Sequence, residues 1–328
     1  MDGHSNEKQI ARKSPLIVIG GATAVGKTEL SIALAKRVGG EIINADSMQV
    51  YRHMNIGTAK VEKARMQGIT HHLLSVIEPS EEYNVAIFQR MAKQCISEIE
   101  ERGNIPVLVG GSGFYMKALL YDTHFDERAG GAGEREAILE AIAREQGTDA
   151  LHEILKEMDE DAAAVIHPHN TKRLIRAISY CEQTGNLISQ HNKTEKLRPS
   201  PYNFCYFVLN DHRERIYENI NLRVEQMMEK GLLQEVEKLR EMGLNDEMVS
   251  MQGLGYKEIL ACLGGKCDLD TAVTLIKRDT RRFAKRQLTW YRREREVIWL
   301  NRFEYQDDNA VLDEMEKHLY SKRIAVKE

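Results

Sequence analysis

The chain has 328 residues, 42% hydrophobic and 29% charged, with 46 Lys and Arg against 50 Asp and Glu, for a formal net charge of −4. This length allows two compact domains, and the mildly acidic balance excludes a protein that binds nucleic acid through its overall charge, so any anionic partner must meet a local basic patch. No apolar run approaches the roughly 18 residues of a membrane span, and the polar stretch 1–13 lacks the apolar segment of a secretory signal and reads as a disordered leader.

The first apolar run, 16–19, reads as a buried strand, and it leads into Gly21, Ala22, Thr23, Ala24, Val25, Gly26, Lys27 and Thr28. These eight residues match G-x-x-x-x-G-K-[ST] in full and open a helix over 28–37, the strand–loop–helix context the motif requires. Its glycines let backbone N–H groups turn around phosphate oxygens at a helix N-terminus. Lys27 neutralises phosphate charge, and the Thr28 hydroxyl suits Mg²⁺.

A second strand over 41–45 ends at Asp46, followed by Ser47, Met48 and Gln49. Asp46 has two readings: a helix N-cap, which Asp and Ser both serve well, or the acidic residue that faces the acceptor in P-loop small-molecule kinases. His71-His72 further along, like His167-Pro168-His169, looks like a metal pair, but neighbouring histidines rarely share one ion without further ligands, so structural roles are expected. After a helix over 85–101, a third strand at 106–109 runs into Gly110-Gly111-Ser112-Gly113, where an ordinary NTPase carries a Walker-B-type aspartate. Asp46 is therefore the acidic residue that ends an early strand.

The stretch 126–201 is helical in pattern, strongly charged and without a convincing strand. It reads as a helical insertion over 123–202, entered through Gly130-Gly131-Ala132-Gly133 and left through Pro199-Ser200-Pro201, between core segments 14–122 and 203–328. Strands over 205–209 and 297–300 complete the set. Near-continuous apolar strands alternating with helices predict an α/β fold, a P-loop NTPase-like parallel sheet core with an inserted all-helical domain. Ligands bind such sheets outside the carboxyl ends of the strands, so the motifs at 20–28, 46–52 and 110–115 should converge.

Near the C-terminus, 277–295 is expected to form one basic helix, with Lys277, Arg278, Arg281, Arg282, Lys285, Arg286, Arg292, Arg293 and Arg295 against Asp279 and Glu294. Such a patch gives salt-dependent affinity for a phosphate backbone, or is simply a solvated face. Phe283 and Trp290, seven apart, are expected to share a core-facing stripe. The scattered Cys95, Cys181, Cys205, Cys262 and Cys267, with no C-x-x-C pair, argue for reduced thiols in the cytoplasm and against zinc.

The blocks GATAVGKT, NADSMQVYRHMNIGTAK, THHLLSVIEP, VLVGGSGFYMKALL, IHPHNTKRLIRAI, SMQGLGYKEI and RDTRRFAKRQLTWYRR, in this order, resemble the signatures of the tRNA dimethylallyltransferase (tRNA isopentenyltransferase) family. The resemblance implies transfer of a dimethylallyl group from dimethylallyl diphosphate to the exocyclic amine of the adenosine just 3′ of the anticodon in tRNA, with Mg²⁺. It decides between the readings of Asp46 in favour of a base that takes the amine proton. It places Ser112 beside the reacting groups and Ser47, Met48 and Gln49 around the target base. It assigns Arg135, Lys172, Arg173 and Arg176 to tRNA contact, with a solvated face as the alternative for the last pair, and the anticodon stem-loop as partner. Arg281, Arg282, Lys285 and Arg286 extend that surface, although Arg281 or Arg282 could instead serve the diphosphate. Gln252 stands where some members carry Arg, which leaves open who contacts the diphosphate from that side. A monomer is expected. The competing readings are a P-loop small-molecule or nucleotide kinase and a non-catalytic RNA-binding regulator with a vestigial loop.

Overall fold

The computed structural model describes residues 13–125 and 133–324. The leader expected up to residue 13 falls almost wholly outside these residues, as does most of the Gly130–Gly133 entry, of which only Gly133 is described. Tyr121–Ser200 form one compact unit, and the chain on either side of it forms the other.

The larger unit is built on six parallel strands, β1 (Ser14–Gly21), β2 (Gly40–Asn44), β3 (His71–His72), β4 (Ile105–Val109), β5 (Tyr202–Asn210) and β6 (Val297–Asn301), in the order β3-β2-β4-β1-β5-β6. The inner strands are apolar on both faces because helices cover both: Leu16, Ile17, Val18 and Ile19 of β1 are fully buried, as are Tyr206 to Leu209 of β5. The five expected strands are all present with slightly different limits, since the ladder runs on through residues that are not apolar, as where Ser14 pairs with Tyr202. The sequence reading missed β3. It is two histidines long, carries no apolar signal, and is recognisable only by the pairing of Ile42 with His71 and Ile43 with His72.

Helices follow the strands as a parallel sheet demands. They are α1 (Lys27–Val38), α2 (Val85–Glu101) and α3 (Gly113–Leu120) in the first half. In the second half they are α9 (Arg213–Glu229), α10 (Leu232–Glu241), α11 (Tyr256–Leu263), α12 (Leu269–Tyr291) and α13 (Asp308–Ser321). α2 starts where Asn84 Oδ1 accepts the N–H groups of Ala86 and Ile87, an N-cap that satisfies two otherwise orphaned donors. The smaller unit holds α4 (Glu134–Glu145), α5 (Thr148–Met158), α6 (Glu160–Val165), α7 (Thr171–Thr184) and α8 (Ile188–Leu197). It has its own core, in which Leu139, Leu151, Leu155, Leu174 and Ile178 are fully buried. No helix among the described residues is long and apolar enough to cross a membrane.

The β3 histidines are structural. His71 Nδ1 lies 2.9 Å from the Ile69 carbonyl, and His72 Nε2 lies 2.7 Å from Glu41 Oε2. Glu41, 6% exposed, also accepts from Arg102 Nε and Nη2, both at 2.9 Å, and from Asn104 Nδ2 at 2.7 Å. The Arg102 guanidinium holds this carboxyl down at about 2 against the opposing effect of burial, with Asn104 and His72 assisting. A carboxyl depressed in the folded state stabilises fully above its ordinary value and progressively less as pH falls from about 4.5 to about 2. Glu41→Gln should therefore cost about 2–3 kcal/mol in urea unfolding at pH 7. The difference between variant and parent should close by about pH 2; a difference unchanged at low pH would mean that the carboxylate charge is not what holds β2 to β3.

Candidate active site

The loop after β1 is the first component. Ala24 and Gly26 both adopt left-handed backbone, with φ of 63° and 93°, and this turns the loop into a concave run of N–H groups at the start of α1. Gly26 is required twice over: by its φ, and because a β-carbon there would lie 2.3 Å from Arg302 Nη1. Arg302 in turn donates to the Val25 carbonyl at 3.0 Å and braces the outside of the loop. Lys27 folds back across the cradle, donating to the Gly21 carbonyl at 3.0 Å and the Ala22 carbonyl at 2.7 Å. Burial of this ammonium brings its pKa down to about 7, helped by the nearby Arg223 charge and opposed by Asp46 and Glu29. The Thr28 side chain is half-buried, and no hydrogen bond engages its hydroxyl among the described residues.

Arg223 is a loop-facing residue that sequence reasoning missed. It lies on α9, one turn from Asn219, and the two face the loop together. Asn219 Nδ2 donates to the Ala24 carbonyl at 3.2 Å, and Arg223 Nη1 donates to Thr23 Oγ1 at 3.3 Å. Burial lowers the Arg223 pKa, helped by the Arg65 charge and opposed by the Glu29 carboxylate. The spacing of 219 and 223 puts both on one face of α9 beside the buried stripe Ile216, Ile220 and Val224, but nothing in the sequence says what that face meets. Gln252, by contrast, is exposed, and its amide is spent on the Asp246 carbonyl. Among the described residues, Arg223 and Arg302 are cations that reach the loop from the second half of the chain, while residue 252 does not.

Asp46 follows β2, and the chain after it makes a turn over 47–50 and not a helix. Its Oδ1 accepts from Met48 N at 2.8 Å and Gln49 N at 3.3 Å, which caps that turn. No hydrogen bond engages Oδ2 among the described residues, so that oxygen is available to a substrate. The charge acts on Lys27, on Lys60 and on the Tyr115 and Tyr291 hydroxyls, all of which surround the same site. Burial brings Lys60 down to about 8, with Glu235 and Asp46 opposing, and pushes Tyr115 up to about 12. Lys60 is fixed by the Tyr51 carbonyl at 2.6 Å and Ser75 Oγ at 2.7 Å.

The strand ends that lead into Asp46 and Ser112 lie side by side because β2 and β4 are neighbours. The Ala45 N–H donates to the Val109 carbonyl at 2.7 Å, and the strand ends run so close that a β-carbon on Gly110 would meet the Ala45 carbonyl at 2.6 Å. Ser112 starts α3, its carbonyl taking the N–H groups of Tyr115 and Met116. Ser47 and Met48 are half-buried, with the Met48 methyl against Gly253, while the Gln49 amide donates to the Thr58 carbonyl at 3.0 Å. The loop bearing Thr58 is anchored by Glu235 of α10. Its carboxylate accepts from the N–H groups of Asn55 at 2.9 Å, Ile56 at 2.8 Å and Gly57 at 3.0 Å, and from the Tyr256 hydroxyl at 2.7 Å.

The basic segment differs from expectation in two ways. The helix ends at Tyr291, so Arg292, Arg293 and Arg295 lie beyond it. Its core face is Ala272, Ile276, Ala284, Gln287 and Tyr291, not Phe283 and Trp290. The seven-residue spacing was sound, but the small Ala284 and the hydrogen-bonded Gln287 let the helix lie closest along a neighbouring stripe. Phe283 is half-buried beneath the Arg286 guanidinium at 5.7 Å, and Trp290 packs edge-on against Phe114. Part of the positive charge is committed. Lys277 pairs with Glu225, Arg278 and Arg282 with Asp279, and Arg281 with Asn221 Oδ1 at 2.6 Å. Lys285 and Arg286 stay exposed, and with Arg282, Thr289, Trp290 and Arg293 they line an open groove of about 430 Å³.

In the smaller unit, Arg135 is paired with Glu182 through two bonds of 2.8 and 2.5 Å, while Lys172, Arg173 and Arg176 are exposed on α7. His169 Nδ1 lies 3.3 Å from Thr148 Oγ1, and its N–H donates to His167 Nδ1 at 3.2 Å. Among the described residues no three His, Cys, Asp or Glu side chains gather where they could hold a metal.

A family model described as IPP transferase matches residues 49–294. A tRNA dimethylallyltransferase of Lachnoclostridium phytofermentans is 53% identical over 310 residues, covering 94% of this chain and 99% of the relative. The crystal structure of a full-length tRNA isopentenylpyrophosphate transferase from Bacillus halodurans superposes with a TM-score of 0.72 at 42% identity, covering 94% of this chain and 97% of that one. A eukaryotic dimethylallyltransferase captured acting on tRNA superposes with a TM-score of 0.80 at 28% identity, covering 96% of this chain and 81% of that one. With most of its length matched by the family model and nearly all of it by these relatives, the chain belongs to the IPP transferase family, that of the tRNA dimethylallyltransferases.

Proposed function

We propose that this protein transfers a dimethylallyl group from dimethylallyl diphosphate to the exocyclic N6 amine of the adenosine 3′-adjacent to the anticodon in tRNA, releasing diphosphate. The observation that carries the reading is the approach of an aspartate with one open oxygen, Asp46, to a phosphate cradle that has no Walker-B-type acid beside it. The activity named for the relatives, and the tRNA on which the eukaryotic one acts, support it from outside the site.

The chemistry follows from the groups in place. The diphosphate sits in the loop of Gly21 to Thr28, where backbone N–H groups, Lys27 and Arg223 take up negative charge as the C1–O bond breaks and its electron pair leaves with the phosphate. The adenine amine attacks C1, forming the N6–C1 bond, and its proton passes to Asp46 Oδ2. An adenine lone pair is delocalised into the ring, so this proton acceptor raises the nucleophilicity where it is lowest. Ser112 borders the space between donor and acceptor. Ser47 and Met48 line the side from which a base flipped out of its stack enters.

Mg²⁺ fits this site as a companion of the diphosphate: the Thr28 hydroxyl, engaged by no hydrogen bond among the described residues, is a hard oxygen ligand that would hold it. When bound it adds positive charge at the leaving group. The exposed Lys172, Arg173 and Arg176 form one surface for the anticodon stem-loop and Lys285 and Arg286 form another, while Arg135 is held by Glu182. Five unpaired cysteines support a cytoplasmic setting.

Incubation with unmodified tRNA, labelled dimethylallyl diphosphate and Mg²⁺ tests the reading through label in the tRNA. No transfer, together with phosphorylation of a small acceptor from ATP, would establish the kinase reading instead. For the groove, the double variant Lys285→Ala, Arg286→Ala should weaken tRNA binding and reduce the slope of log affinity against log salt by about one to two. A slope equal to that of the parent removes the groove from the interface.

A further inference from the structure

We propose that Gln287 of α12 is a positioning residue that sets the distance between the diphosphate cradle and the Ser112 turn; the proposal rests on the reading of that site as a transferase centre. Gln287 is 6% exposed, and both ends of its amide are used. Oε1 accepts the Thr23 N–H at 2.9 Å, and Nε2 donates to the Gly111 carbonyl at 2.9 Å. Thr23 lies in the loop that holds the leaving group, and Gly111 precedes Ser112, at the acceptor side. One side chain therefore spans the two halves of the site, and it does so from the interior of a 23-residue helix.

Its neighbours on the same face make that helix a firm mount. Ala284 and Tyr291 are buried with it, and the Tyr291 ring lies so close to β1 that a β-carbon on Gly20 would meet it at 2.8 Å. At Gly111 a β-carbon would lie 2.3 Å from Nε2, so the turn is pressed directly onto the amide. The arrangement needs an acceptor at one end and a donor at the other. Glutamate keeps the acceptor, loses the donor, and adds a negative charge next to an anion site. Leucine loses both. A second consequence is that the Thr23 N–H is already taken, so the anion is held by the loop donors that follow it.

The experiment combines kinetics of Gln287→Leu and Gln287→Glu with amide spectra of the unsubstituted protein. In both variants kcat should fall about 30-fold or more, since an error of the order of 1 Å between reacting groups is enough for such a loss, while tRNA affinity stays within about twofold. In the unsubstituted protein, inorganic diphosphate should shift the amide resonances of Val25, Gly26, Lys27 and Thr28 and leave that of Thr23 nearly unmoved. A folded Gln287→Leu with kcat within twofold of the parent overturns the proposal. So does a Thr23 resonance that moves as far as that of Gly26, because the ligand would then have displaced Gln287. Should the variants fail to fold, the Thr23 resonance decides alone. Should the parent transfer no label to tRNA, the transferase reading fails by itself, and the diphosphate spectra still test the clamp.

Discussion

Replacing Asp46 by asparagine should lower kcat about 10²- to 10⁴-fold, the usual contribution of a positioned general base, while leaving tRNA affinity and thermal stability close to those of the parent. Asparagine is chosen because it separates the two things Asp46 does. Its carbonyl can still accept the Met48 and Gln49 N–H groups, as Oδ1 does in the structure, and Asn and Asp cap equally well. What it cannot do is take a proton at Oδ2. Alanine removes both roles and should cost stability as well, by about 1 kcal/mol. Steady-state kinetics, tRNA binding and a thermal melt on the two variants give the answer. Full activity in Asp46→Asn with loss in Asp46→Ala would reduce this residue to a cap and leave the amine proton without an acceptor.

The second large effect is expected at Lys27. Lys27→Met should reduce kcat/KM for dimethylallyl diphosphate about 10²- to 10³-fold, as for other removed groups that stabilise developing charge. A finer consequence follows from its pKa. Burial, then Arg223, bring this ammonium to about 7, so above neutral pH it is largely uncharged in the free protein. A bound diphosphate supplies the missing counter-charge and favours the protonated form. Binding must then take up a proton at pH 8 to 9, and the uptake must fade below pH 7, where Lys27 already carries its charge. Calorimetry in buffers of different ionisation enthalpy measures this directly. Lys27→Met provides the control that separates the uptake from protonation of the ligand itself. An uptake that is the same in parent and variant would mean that Lys27 stays charged throughout.

The parts of this site that sequence exposes are those in which function is local. The loop from Gly21 to Thr28 lies within eight consecutive residues and its backbone geometry follows from two glycines, so the pattern alone identifies it. The positions of Asp46 and Ser112 were legible because each lies within three residues of the end of a buried apolar strand, and a parallel sheet gathers such positions at one edge, while the roles expected of them came from the family resemblance. Arg223 and Gln287 were not legible, because what defines them is a partner 200 and 264 residues away. Nothing in helix propensity distinguishes an arginine that meets Thr23 from one that meets water. On α12 the spacing of Phe283 and Trp290 was correct as a stripe and wrong as a core, since periodicity gives faces and only packing chooses between them. The strand at His71 and His72 carries no hydrophobic signal because its stability comes from Glu41 and a neighbouring ladder.

The carboxylate of Glu235 has a consequence for how substrate is received. By gathering three successive N–H groups from Asn55, Ile56 and Gly57 together with the Tyr256 hydroxyl, it fixes a loop that would otherwise sample many conformations. Ordering a free backbone costs about 1–2 kcal/mol per residue. Here that entropy is surrendered when the protein folds, so under the proposed function the segment beneath Gln49 would meet its nucleotide already in shape, and the freedom lost on association would be left chiefly to the RNA.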